Sequence, residues 1–368
     1  MRTLDRDALT PRIDALRVEV MPDPRLAVWD VTIVDEETAP RVLGWTTSDS
    51  ALGRIRDLAH EAGIATEVRL LPDPTLGTAV AGVAHRSLAH LRREPRHAAE
   101  LVTQMVLGEE ALVLRERGEW LQVQTVGGYV GWTHRASLVR RAPVEGLASF
   151  RERLTAHGAA PGTWVVTART PAARQRPAPD APVACDLVRG ARVILAGEDG
   201  GWLRIELPDG LDGWIPRADA LPQERLAERF PHEGAAIVEH AAEYLGLPYL
   251  WGGTSEKGFD CSGLVQRIYG LHGVALPRDS DQQSFMGDPV EPGGDWSAVR
   301  DGDLAFFAET PGGRATHVGI LSRGARLIHA STSRNGVAWD ALRANAPEWS
   351  DFGARLAARL TAIRRVLR

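Results

Sequence analysis

The sequence predicts an α+β chain: a short α/β segment, two small all-β units, and a larger α+β domain at the C-terminal end. Three observations carry this reading. Pro95, Gly108, Trp120, Gly131 and Trp132 recur as Pro177, Gly190, Trp202, Gly213 and Trp214, each 82 residues further on. Five matches at one offset mark an internal repeat. Each copy holds short alternating runs, Trp120 to Thr125 and Trp202 to Leu207, bounded by Gly-rich turns, which is the pattern of small β units. Beyond His232 the pattern changes to helical stripes followed by three strand-like runs.

A chain of 368 residues has room for two to four domains. With 44% hydrophobic and 25% charged residues it has the composition of an ordinary globular protein. The net charge of -5 gives no general attraction to nucleic acid. No stretch approaches the roughly 20 apolar residues that span a bilayer. Residues 1–30 carry Arg and Asp throughout and lack a signal-peptide core. A cytoplasmic monomer is therefore expected, with neither nucleic acid nor membrane as partner. Cys185 and Cys261 form no short paired motif, which argues against a disulfide framework and a cysteine-built zinc site. Cys185 reads as an inert, buried small hydrophobe.

Residues 1–76 read as strand (Leu26 to Val34), helix (Ser50 to Ala62) and strand (Thr66 to Leu71). Leu52, Ile55, Leu58 and Ala59 give the helix its apolar side, and Gly63 ends it. Residues 77–143 and 162–222 are the two repeat copies. A Gly-Trp pair closing such a unit resembles the bacterial Src-homology-3-like (SH3-like) barrel, so two small barrels are expected. Residues 144–161 read as a linker able to hold a short helix. In residues 232–368, Ala235 to Tyr244 reads as a helix. Leu264, Val265, Ile268 and Leu271 form a second helical stripe, which puts Cys261 at a helix start. Asp303 to Phe307, Thr316 to Leu321 and Arg326 to His329 read as strands of an antiparallel sheet.

A thiol at a helix start is a candidate nucleophile. Unpaired N–H groups and the helix dipole favour the thiolate by roughly 0.3–1 kcal/mol, at best ~2. A free thiol titrates near ~8.5, so an imidazole must do the rest. His317 and His329 flank Ser322-Arg-Gly-Ala325, which reads as a hairpin turn. Folding there brings the two histidines to neighbouring cross-strand positions, one to act as base and the other to orient it.

The motifs Tyr249-Leu-Trp-Gly-Gly253, Asp260-Cys-Ser-Gly263, Gly302-Asp-Leu304, His317-Val-Gly319 and Ile328-His-Ala330 together resemble the NlpC family of papain-like cell-wall peptidases. The resemblance covers about residues 232–340. It implies a papain-like catalytic domain with Cys261, His317 and His329 as the catalytic residues and no cofactor or metal. The whole arrangement is similar to the intracellular γ-D-glutamyl-L-diamino acid endopeptidases of murein recycling. That resemblance implies hydrolysis of the γ-D-glutamyl–diamino acid bond in a stem peptide with a free N-terminal L-Ala. It carries substrate binding onto Tyr249, Asp260, Ser262 and Ser280. Asp260 would hold an amine and Ser262 a neighbouring polar group. Tyr249 would join the Cys261 N–H in stabilising an oxyanion. Asp279 reads as a solvated charge that positions substrate if it faces the cleft.

The repeat adds a clue. Glu100 and Tyr129 correspond to Pro182 and Leu211 in the second copy, so only the first carries a carboxylate and a phenol at these positions. Across a cleft the two would bind an ammonium group and select a free N-terminus, and the family resemblance points to the same pair. The rival readings are a secreted wall hydrolase whose barrels bind murein, and an amidase or acyltransferase on the same scaffold.

Overall fold

The computed structural model describes residues 6–35, 39–169, 171–310 and 312–367. It divides into two compact units. One comprises Met1–Gly82, Arg93–Ala99 and Glu110–Gly158; the other comprises Val83–Arg92, Glu100–Glu109 and Ala159–Arg368.

The first unit opens with a helix, Arg6–Val20, that the sequence reading did not identify. Its signal was present: Leu9, Ile13 and Leu16 lie at helical spacing and are buried against Leu52, Ile55 and Ala59 of the helix Asp49–Glu61. Ser48 caps that second helix by accepting from the Ala51 N–H at 3.2 Å. Trp29–Asp35 runs antiparallel to Pro40–Thr46, and the latter runs parallel to Ala65–Leu70 after the helical crossover. The unit also holds an antiparallel meander, Glu110–Arg117, Trp120–Thr125 and Val130–His134. The helix Leu147–Thr155 occupies the expected linker and buries Phe150 and Leu154.

In the second unit the other copy repeats the meander as Arg192–Asp199, Trp202–Glu206 and Asp212–Pro216, each starting 82 residues after its counterpart. The bulges repeat as well. The register shifts between Val113 and Arg115 in one copy and between Leu195 and Gly197 in the other. The sheets are small and open, which corrects the expectation of barrels. The second copy's strand order begins at Val183–Asp186 and ends at Ala220–Pro222, and these two edges do not pair. The last strand has three residues, ends in a proline that lacks an N–H, and cannot zip a barrel shut. Cys185 lies in the other edge strand, part exposed rather than buried. A hairpin of Leu88–Arg92 and Leu101–Val106 belongs to this unit too.

The rest of the second unit contains α1 (Gly234–Ala242), α2 (Cys261–Leu271), α3 (Ser280–Gln283), β1 (Asp288–Pro289), β2 (Leu304–Ala308), β3 (Ala315–Ser322), β4 (Arg326–Ser331), β5 (Gly336–Ala341), α4 (Asp351–Ala357) and β6 (Leu360–Arg365). The sheet order is β1-β6-β2-β3-β4-β5, antiparallel throughout. The three strands read from sequence are β2, β3 and β4, within one or two residues at each end. The predicted stripe of α2 is buried: Leu264, Val265 and Ile268 pack with Val318, Ile320 and Ile328 of β3 and β4. Each such side chain contributes roughly 1.5–3 kcal/mol when fully buried. That packing fixes the start of α2 against the strands that carry the histidines.

Candidate active site

Cys261 is the first residue of α2, and Asp260 is its N-cap, accepting from the Gly263 N–H at 2.6 Å. The motif's glycine has a steric reason. A Cβ at Gly263 would lie 2.1 Å from the Gly253 carbonyl oxygen, so only glycine lets the turn pack on the helix start. The Cys261 side chain is 8% exposed and packs with Ala315 and Val318 of β3.

Burial changes the chemistry expected of this thiol. It pushes Cys261 up to about 12, and the Asp260 charge adds to the rise. Hydrogen bonding from the backbone of Val318 and Ser262 and the Arg278 charge offset only part of it. The helix-start effect is thus outweighed, because desolvation of a buried group exceeds a dipole contribution of about 1 kcal/mol.

Both histidines lie on this sheet. His317 is part buried on β3, and His329 is fully buried on β4. His317 Nε2 lies 2.7 Å from His329 Nδ1. Burial holds His317 well below its usual range. The neighbouring His329 and Arg359 reinforce this, and Asp340 opposes it. Thiol and imidazole are therefore both driven toward their neutral forms.

His329 Nε2 faces Asp340 Oδ2 at 3.0 Å, and both side chains are wholly buried. Arg334 donates to both oxygens of Asp340 through Nε and Nη2. Burial alone would raise Asp340, but the hydrogen bonds from His329 and Arg334 hold it below the usual carboxylate range. The sequence reading did not identify Asp340 or Arg334. Their signal was the strand β5 itself: the register pairs His329 with Ala338, which leaves Asp340 two residues along on the same face.

The binding candidates divide. Tyr249 is part buried, and its hydroxyl is pushed above its usual range by burial, then by Cys261 and Asp260, so it stays a hydrogen-bond donor. Asp260 is heavily engaged. Arg278 donates to both its oxygens, at 2.6 and 3.1 Å, and the Gly252 N–H donates at 2.9 Å. Arg278 also donates to the Ser262 hydroxyl at 2.9 Å and to Thr103 Oγ1 at 2.9 Å. Arg278 stands two residues before Ser280, but its role was not read from the sequence. The Ser280 hydroxyl donates to the Ala315 carbonyl at 3.3 Å. Asp279 caps α3 in a capping box with Gln282.

Glu100 lies at the foot of the Leu101–Val106 strand, and its Oε1 accepts from Trp251 Nε1 at 3.0 Å. The same strand meets the Tyr249 to Thr254 loop again at Gln104, whose Oε1 accepts from the Thr254 N–H at 2.9 Å. Tyr129 is buried in the first unit, where its carbonyl accepts from the Thr125 N–H. Among the described residues no helix is long and apolar enough to cross a membrane.

A thiol at a helix start, packed on a sheet that carries a coupled pair of imidazoles, defines a cysteine-peptidase site, and the chain belongs to the NlpC/P60 family. Residues 246–355 match the NlpC/P60 family, residues 91–138 the bacterial dipeptidyl-peptidase SH3 domain, and residues 171–220 the bacterial SH3 domain. The chain is 30% identical over 251 residues to a γ-D-glutamyl-L-lysine dipeptidyl-peptidase of Bacillus cereus, covering 66% of this chain and 70% of that protein. It is also 30% identical over 239 residues to the protein of the same name in Bacillus subtilis, covering 62% and 71%. In fold it is similar to the crystal structure of an NlpC/P60 family protein from Bacillus cereus (TM-score 0.62, 24% identity, 78% of this chain and 100% of that one). The chain is thus a peptidoglycan peptidase, a hydrolase acting on peptide bonds.

Proposed function

We propose that the protein hydrolyses the γ-D-glutamyl–diamino acid bond of murein peptides that carry a free N-terminal L-Ala, recycling wall fragments in the cytoplasm. The observation that carries the class of chemistry is the 2.7 Å pairing of His317 with His329 beside the helix that starts at Cys261. The resting pair is neutral. His317 takes the Cys261 proton as sulfur attacks the carbonyl carbon of the γ-glutamyl bond. The oxyanion is stabilised by the Cys261 N–H and the Tyr249 hydroxyl, donors worth roughly 2.7–4 kcal/mol each. The tetrahedral adduct collapses by breaking the C–N bond, and His317 returns the proton to the leaving amine of the diamino acid. Water, deprotonated by His317, then hydrolyses the thioester and releases L-Ala-γ-D-Glu.

Support for selection of a free N-terminus comes from Glu100. Its carboxylate is held by the Trp251 indole N–H within the unit that carries Cys261. On this reading the Glu100 carboxylate pairs with the substrate ammonium, whereas Tyr129 is buried in the other unit and has no part in that contact. Asp260, already neutralised by Arg278, contributes polarity there rather than a second net charge. Ser262, Ser280 and Asp279 complete the assignment as groups that position the D-Glu moiety. The test is mass spectrometry of products from a defined L-Ala-γ-D-Glu-diamino acid tripeptide and its N-acetylated form. The dipeptide should appear only from the free tripeptide. Equal release from both forms would overturn the specificity.

A further inference from the structure

We infer that Asp340 and Arg334 are positioning residues for hydrolysis, fixing through His329 which ring nitrogen of His317 holds the proton. The inference rests on Cys261 and His317 as nucleophile and base.

The argument follows donors and acceptors along one line. Asp340 accepts from Arg334 and is ionised, so it can only accept. His329 Nε2, at 3.0 Å, must therefore carry a hydrogen. In the neutral ring that leaves a lone pair on Nδ1, which accepts from His317 Nε2–H at 2.7 Å. The lone pair of His317 then resides on Nδ1, and this nitrogen is free to take a proton. Reverse the outermost group and the whole line reverses. A donor at position 340 would favour the lone pair on His329 Nε2, put the hydrogen on Nδ1, and leave the unprotonated nitrogen of His317 facing His329.

Arg334 has a separate task. Asp340 and His329 are wholly buried, and a carboxylate there without a cationic partner would carry a large desolvation cost. Arg334 cancels the carboxylate's charge while leaving its acceptor in place. The other charged groups facing this line are Arg359, beside His317, and Glu348, which is paired with Arg326; Tyr249 lies near Cys261 and Asp260 instead. Among the described residues neither Arg359 nor Glu348 hydrogen-bonds to either imidazole.

The test uses Asp340→Asn and Arg334→Gln in the full chain, with folded sites counted by the Cys261 label after peptide mapping. Asp340→Asn should lower kcat by about 10²–10⁴-fold with KM within about twofold, the pattern of a residue that acts through His329. Its residual activity should keep an acid limb of kcat/KM moved to lower pH, because the imidazolium loses a stabilising anion. Arg334→Gln should move that limb to higher pH. Rates of iodoacetamide labelling at Cys261 should shift in the same two directions. This readout needs no peptide: a wild type that cleaves no murein peptide but whose variants show the opposed labelling shifts would refute the substrate and leave the positioning role standing. Acid limbs unmoved in both variants, with kcat within threefold of wild type, would overturn the inference. If Asp340→Asn loses its countable sites, Arg334→Gln decides alone: an upward shift supports the role and no shift refutes it.

Discussion

His329 reaches His317 diagonally rather than from directly across the strand pair. Ile320 pairs with Ile328, so the same register sets Gly319 opposite His329. A Cβ at Gly319 would lie 2.9 Å from the His329 Cβ and 2.6 Å from Leu327 Cδ1. The glycine of the His317-Val-Gly319 motif thus leaves room for the imidazole to cross to its partner. Gly319→Ala should keep the fold but displace His329. Misplacement by about 1 Å can cost around 10²-fold in rate. Steady-state kinetics should show the loss in kcat rather than KM.

Glu100 and Trp251 should act on recognition. Trp251→Phe keeps the ring but removes the N–H that holds Glu100. The expected result is a rise in KM for the free tripeptide of about tenfold with kcat largely kept, equivalent to about 1.4 kcal/mol. Glu100→Gln should do the same and narrow the gap between free and N-acetylated substrates. The measurement is kcat and KM on both substrates for both variants.

Arg278 is nearly wholly buried, and its loss would leave Asp260 buried and unpaired. Arg278→Met should destabilise by about 3–5 kcal/mol. The double variant Arg278→Met with Asp260→Asn should recover part of that loss. Denaturant unfolding of wild type and both variants tests this, and equal stability of the single and double variants would show that the buried charge is not the cause.

His240 gives a stability prediction with a definite sign. It lies 3.1 Å from both His272 Nε2 and the Tyr244 hydroxyl, and Arg189 donates to that hydroxyl. Burial, then Arg189, holds His240 down to about 2, and burial lowers His272 as well. The unfolded chain therefore takes up protons below about pH 6.5 that the folded chain refuses. Stability from this site is complete above that pH and falls as pH drops toward 2. The slope is at most about 1.4 kcal/mol per pH unit for one proton. His240→Gln should flatten the fall in unfolding free energy between pH 6.5 and 5.

Much of the site was legible because its signals are local. The repeat and its alternating run predicted one strand in each copy, from Trp120 and from Trp202, since Gly and Trp mark turns that need no tertiary information. Cys261 at a helix start followed from Leu264, Val265 and Ile268, and the meeting of His317 and His329 followed from the turn between them. What escaped depended on contacts distant in sequence or on burial. Arg278 meets Asp260 from 18 residues away, and Asp340 reaches His329 only once β5 has paired with β4. The depth that raises the Cys261 thiol has no local sequence signal, so the helix start alone pointed the wrong way. The open edge at Ala220–Pro222 was readable in the proline but was overridden by the expectation of a barrel.

The most direct measurement of the central claim is intact-protein and peptide mass spectrometry after acid quench of a single turnover on the free tripeptide. The account requires a thioester adduct of L-Ala-γ-D-Glu, less one water, on the peptide containing Cys261. It should be absent in Cys261→Ala, which should also release no dipeptide. Dipeptide release by Cys261→Ala, or an adduct on any other residue, would contradict it.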